Sequence, residues 1–128
     1  MIKSSIHKSA IIDETASLGQ GIFVGAGVII GANVKIDQGC RLGTGVIIER
    51  ESHLQKNVVV DPGAIIGAGV EIGNDTKIGM GAKITDQIKI APESVIKIGE
   101  IVLKDMVYKM VFKRGAWIYR EDTLNNKK

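Results

Sequence analysis

The chain has 128 residues, room for one domain, and its 45% hydrophobic and 24% charged content excludes a disordered protein. No run approaches the roughly 18 uninterrupted apolar residues of a membrane-spanning helix, Met1–Ser5 leads straight into patterned sequence instead of a signal peptide, and the single cysteine, Cys40, excludes an internal disulfide and suits a reducing cytoplasm. Residues 1–106 carry eleven Lys/Arg against twelve Asp/Glu and residues 107–128 carry six against two, so the basic balance belongs to the tail and the body lacks the broad basic face that nucleic acid demands.

From Ile6 onward the chain repeats. Ile6, Ile12, Leu18, Val24, Ile30, Ile36, Leu42, Ile48, Leu54, Val60, Ile66, Ile72, Ile78, Ile84, Ile90 and Ile96 fall at every sixth position without a break. Two residues earlier stands a small or modest side chain, as in Ala10, Ala16, Val28, Val34, Cys40, Val46, Ser52, Val58, Ala64 and Val70. One residue later is often Gly, and three later usually Gly or Asn. A small–outward–aliphatic triplet is a short strand with one buried face. The three residues after it make a corner, where Gly and Asn tolerate positive φ. Hexads are too short for hairpins between useful strands, so the chain must coil and stack its strands in parallel, about 4.8 Å apart. Glycine, at 16 residues, supplies corners and not a phosphate loop, and aromatics are so few that the core must be aliphatic.

This repeat resembles the hexapeptide-repeat acyltransferases, over residues 6–98. The resemblance implies an all-β fold, a left-handed parallel β-helix of about five coils with three hexads per turn, spanning residues 1–98. Residues 99–128 then form a closing segment and basic tail whose rings can cap the open end of the prism. Ile101-Val102-Leu103-Lys104-Asp105 is similar to the family's closing segment.

With 18 residues per turn, outward strand positions fall in three columns: Ser5, Phe23, Arg41, Val59, Lys77; Ser17, Lys35, His53, Glu71, Lys89; and Ile11, Ile29, Ile47, Ile65, then Lys83. Four stacked outward isoleucines call for a cover. The cover is either the folded-back C-terminal segment or another subunit, and the resemblance implies a homotrimer through this face.

The resemblance also implies general-base catalysis, with acetyl-CoA as co-substrate and a hydroxyl or amine of a sugar or nucleotide-sugar as acceptor. The family's aliphatic–acidic–His–acidic motif falls on Ile48-Glu49-Arg50-Glu51, where Arg50 replaces the histidine and carries no base at neutral pH. The expected base is therefore His53, oriented by Glu71 or Glu51, with Glu49, Glu51 or Asp61 as alternative carboxylate bases. Arg50 and Asp61 are candidates for gripping substrate, Arg50 otherwise pairing with Glu49 or Glu51. Lys104, Lys113 and Arg114 are candidates for coenzyme A phosphates. Cys40 reads as a core thiol, His7 and the corner aspartates Asp13, Asp37 and Asp61 as corner structure. His7 and His53 stand too far apart to share a metal, and no metal site is expected. The alternative to an acetyltransferase of surface-polysaccharide synthesis is a trimeric scaffold or regulatory subunit that has lost its base.

Overall fold

The computed structural model describes residues 3–108 and the backbone of residues 110–113 and 116–119. Each hexad makes one two-residue strand and one corner, so the chain winds as a parallel β-solenoid of about five turns with three faces. Face A holds β1 (Ser5–Ile6), β4 (Phe23–Val24), β7 (Arg41–Leu42), β10 (Val59–Val60), β13 (Lys77–Ile78) and β16 (Val95–Ile96). Face B holds β2 (Ile11–Ile12), β5 (Ile29–Ile30), β8 (Ile47–Ile48), β11 (Ile65–Ile66), β14 (Lys83–Ile84) and β17 (Ile101–Val102). Face C holds β3 (Ser17–Leu18), β6 (Lys35–Ile36), β9 (His53–Leu54), β12 (Glu71–Ile72) and β15 (Lys89–Ile90). The described residues contain no helix.

The register follows the sequence period. Ile48 pairs with both Ile30 and Ile66, and Leu54 with Ile36 and Ile72, so every inward aliphatic sits on its counterpart eighteen residues away. These side chains form a continuous spine: Ile48, Leu54, Ile66 and Ile72 are all fully buried. Among the described residues, Ser52, Thr76 and Ser94 join them without being orphaned. Ser52 Oγ, for example, donates to the Gly67 carbonyl at 2.6 Å and accepts from the Val70 N–H at 3.1 Å, which removes the penalty of a buried hydroxyl.

Corners are held by backbone bonds from one coil to the next, such as Gly45 N–H to the Ala26 carbonyl at 2.9 Å and Glu51 N–H to the Ala32 carbonyl at 2.8 Å. The third corner residue has φ between 58° and 76° from Gly21 through Gly99. That conformation is free for glycine, yet Asn33, Glu51, Asn57, Asp75, Gln87 and Glu93 also adopt it. Where the first corner residue is glycine, as at Gly43, the reason is a different one. A Cβ on Gly43 would lie 2.7 Å from the nitrogen of Pro62 in the next coil, so the coils close up only without it.

The winding runs one rung past residue 98. Val102 is again six residues after Ile96, follows a corner at Gly99 with φ 72°, and is fully buried in β17, paired with β14. Met106 is buried next and bridges to Ile90. Strands β18 (Met110–Lys113) and β19 (Ala116–Tyr119) form an antiparallel hairpin whose first strand pairs with β16, extending face A. The Tyr108 ring is exposed, and the side chains of Phe112, Trp117 and Tyr119 lie outside the described residues.

Ile11, Ile29, Ile47 and Ile65 stand in one vertical file on face B, each Cα paired with the next. Lys83 and Ile101 continue the file. Ile11 is 66% exposed, Ile29 41% and Ile101 53%, while Ile47 and Ile65 are half-buried by their stacked neighbours.

Candidate functional site

Face C carries the polar chemistry. Its outward column reads Ser17, Lys35, His53, Glu71, Lys89 in register. His53 does not turn to Glu71 or Glu51. Its Nε2 lies 3.1 Å from Oδ2 of Asp37, and both side chains are partly buried, 31% and 25% exposed. The local geometry explains the choice. Residues 35, 36 and 37 alternate out, in and out, so Asp37 leaves the same face as Lys35, diagonal to His53 on the adjoining rung. The Asp37 N–H donates to the Leu54 carbonyl at 2.9 Å, which ties the carboxylate's backbone to the histidine's strand.

Asp37 also lines a groove of about 410 Å³ with Ser17, Gln20, Lys35, Gln38 and Lys56. A second depression of about 160 Å³, lined by Gln20, Gly21, Gln38, Gly39 and Asn57, continues it around the edge to face A. The polar part of the two linings combines the amides of Gln20, Gln38 and Asn57 and the Ser17 hydroxyl with the charged groups of Lys35, Asp37 and Lys56, a mixed donor and acceptor set. Among the described residues, the ammonium groups of Lys35 and Lys56 make no ion pair.

The other expected site residues are not brought to His53. Glu49, Arg50 and Glu51 form the exposed corner before β9. Among the described residues, no hydrogen bond or ion pair joins the Arg50 guanidinium to Glu49 or Glu51, or any of the three side chains to His53. Asp61 lies on the edge between faces A and B, in a different groove with Phe23 and Arg41. Lys104 is exposed beyond β17. Lys113 is placed only as backbone, opposite Ala116 in the hairpin, and Arg114 lies outside the described residues.

Two residues read as structural from the sequence are structural. The Cys40 thiol is buried, donates to the Gln55 carbonyl at 2.9 Å, and is pushed up to about 11 by burial. His7 Nδ1 meets Ser9 Oγ at 2.8 Å and accepts the Ser9 N–H at 3.0 Å within the first corner. Asp37 is the partner of His53 that corner chemistry concealed. Its signal was present as spacing: sixteen residues before His53 is one turn less two positions, the diagonal neighbour on the same face.

Two family profiles match this coil architecture. The bacterial transferase hexapeptide profile, of six repeats, matches residues 51–86, and the hexapeptide repeat of succinyl-transferase matches residues 8–62. The chain belongs to the hexapeptide-repeat family. Among solved structures, this hexapeptide-repeat chain is similar to a variant of GDP-perosamine N-acetyltransferase from Caulobacter crescentus in complex with CoA and GDP-perosamine. Identity is 24% and the TM-score 0.89, over 94% of this chain and 58% of that one. It is also similar to the acetyltransferase domain of PglB from Neisseria gonorrhoeae, at 23% identity and a TM-score of 0.88 over 93% of this chain and 58% of that one. That domain is also solved with acetyl coenzyme A. At these identities the likeness establishes the fold. The chain spans 58% of the length of each of these two structures. Curated protein sequences contain no significant match.

Proposed function

We propose that this hexapeptide-repeat protein is an acyl-CoA-dependent acyltransferase that moves an acetyl group to a hydroxyl or amine of a sugar or nucleotide-sugar, with His53 as general base. The observation that carries the reading is the His53–Asp37 pair, whose Asp37 lines a groove shared with Gln20, Lys35, Gln38 and Lys56. An ionised carboxylate only accepts hydrogen bonds, so Asp37 selects the tautomer with hydrogen on Nε2 and leaves the lone pair on Nδ1. That nitrogen takes the acceptor's proton as its oxygen or nitrogen bonds to the thioester carbonyl carbon. The carbon–sulfur bond then breaks, and the imidazolium returns its proton to the departing thiolate of coenzyme A. Asp37 stabilises the transient imidazolium at 3.1 Å and fixes the ring's orientation.

Support for the co-substrate comes from the fold, which the chain shares with enzymes solved with CoA or acetyl coenzyme A. Lys104, Lys113 and Arg114 supply the cations we assign to its phosphates, and Arg50 a further anion contact. Glu49 and Glu51 remain the alternative bases. The exposed isoleucine file supports a homotrimer packed through face B. We place the protein in the cytoplasm, in polysaccharide biosynthesis, where a free thiol such as Cys40 stays reduced.

The test is release of coenzyme A from acetyl-CoA in the presence of a panel of amino- and hydroxy-sugars and their nucleotide-linked forms. His53→Gln is expected to lower kcat by about 100-fold or more with KM little changed. Asp37→Asn should cost less, because the base itself remains and only its orientation and the imidazolium's partner are lost. A His53→Gln variant that keeps the full rate overturns the assignment of the base. Calorimetry showing no acetyl-CoA binding at millimolar concentration overturns the enzyme reading in favour of a scaffold.

A further inference from the structure

Phe23 is the single aromatic residue between positions 1 and 107, and it points outward. In register on face A it is followed by Arg41 and then Val59. The Arg41 guanidinium lies over the ring, with Cζ 4.5 Å from the centroid. A groove of about 130 Å³ opens beside this stack, lined by Phe23, Arg41, Gly43, Val59, Val60 and Asp61. It is the size of one ring system, not of a whole ligand.

Each part of the groove is held from below. Gly43 has no room for a side chain against Pro62, which keeps the floor flat. Asp61 is fixed by its backbone: its N–H donates to the Ile78 carbonyl at 2.9 Å and its carbonyl accepts the Ala64 N–H at 3.4 Å. Its carboxylate is exposed, and among the described residues it forms no ion pair with Arg41 or any other cation. The groove thus presents a planar cation already stacked on one face, an apolar flank at Val59, and an unengaged carboxylate at the rim.

We propose that this shelf on face A binds a nucleobase bearing an exocyclic amino group. Bases stack on aromatic rings and on arginine planes, and a carboxylate accepts from an amino group on a base edge. The base stacks over the Phe23–Arg41 pair and its amino group donates to Asp61. The same chemistry is offered by the adenine of an acyl-CoA and by the cytosine, guanine or adenine of a nucleotide-linked acceptor. The proposal stands on face A alone and does not depend on the role of His53 on face C.

Titration of the full-length protein with nucleotides, followed by calorimetry or by NMR shifts, tests it. AMP should bind about tenfold or more tightly than IMP, which carries a carbonyl in place of the amino group. Phe23→Ala and Arg41→Lys should each weaken AMP binding about tenfold, the second although charge is retained. Asp61→Asn should abolish the preference for AMP over IMP. Unchanged circular dichroism and melting temperature establish that these outward-facing variants fold. Tighter binding of the adenosine bisphosphate portion of coenzyme A than of ADP assigns the shelf to the coenzyme. The reverse order, or tighter binding of CDP or GDP than of the bisphosphate, assigns it to the nucleotide-linked acceptor. Equal affinity for AMP and IMP overturns the proposal. So does AMP binding unaffected by both Phe23→Ala and Arg41→Lys, or the absence of binding by any nucleotide at about 10 mM.

Discussion

Faces B and C are laid on the same rungs and share one buried spine, yet their outer surfaces have opposite chemistry. On face B each of four successive strands reads Ile-Ile, one residue turned inward (partly buried at Ile12, fully at Ile30, Ile48 and Ile66) and its neighbour turned outward. On face C the outward neighbour of an equivalent buried aliphatic is Ser17, Lys35, His53, Glu71 or Lys89. The inner column is uniform because every rung must fill the same narrow interior at native packing density. The outer column is free of that demand, so it is where binding and assembly can be written. The hydropathy of a residue does not tell which column it occupies; its place in the hexad does.

The largest effect expected on stability comes from the shared interior. Leu54→Ala, directly inside His53, should cost about 2–5 kcal/mol, read as a lower urea midpoint at an unchanged slope. An intact midpoint would mean that the spine is not a single packed column. Next, Gly43→Ala pushes a methyl into the Pro62 backbone, and overpacking of this kind should cost about 1–3 kcal/mol. The outer file on face B sharpens the contrast. Ile47→Ala should lower the stability of the isolated chain by well under half the loss in Ile48→Ala, although the two residues are adjacent and identical. Wild type is expected to sediment as the proposed trimer, and Ile29→Asp together with Ile47→Asp as a monomer. Equal losses for Ile47→Ala and Ile48→Ala in dilute protein would erase the distinction between inner and outer columns.

Cys40 gives a smaller, pH-dependent handle on the interior. Burial raises its thiol from 9.0 to about 11, so the unfolded chain loses its proton first. The contribution is present in full below pH 9 and is lost as pH rises towards 11, so stability should fall across that window, and less steeply in Cys40→Ala. Native protein should resist thiol alkylation at pH 8 until denaturant is added. The smallest effect belongs to a corner. Asn57 has φ 59°, a value at which asparagine costs little, so Asn57→Gly should change stability by less than about 1 kcal/mol.

Much of this architecture was legible without coordinates because it is periodic. The aliphatics at every sixth position placed Ile48, Leu54 and Ile66 in the interior, and an eighteen-residue turn stacked Ile11, Ile29, Ile47 and Ile65 in one file. The candidate site was only half legible. His53 stood out as an outward histidine in a charged column, but Glu71 and Glu51 were nearer in the register or the sequence than its actual partner. Asp37 was hidden because its corner position also suits a carboxylate that bonds its own backbone, as Asp13 does with Thr15.

What the sequence by itself determined is the winding. An unbroken six-residue period of aliphatics is buried completely only if the chain turns a corner after every short strand and stacks each rung on the last. What only the tertiary structure decided is which outward side chains meet. Pairing across rungs depends on the reach and direction of individual side chains over a pleated surface, and a period specifies columns but not diagonals. The His53–Asp37 pair and the Phe23–Arg41 stack both belong to that second category.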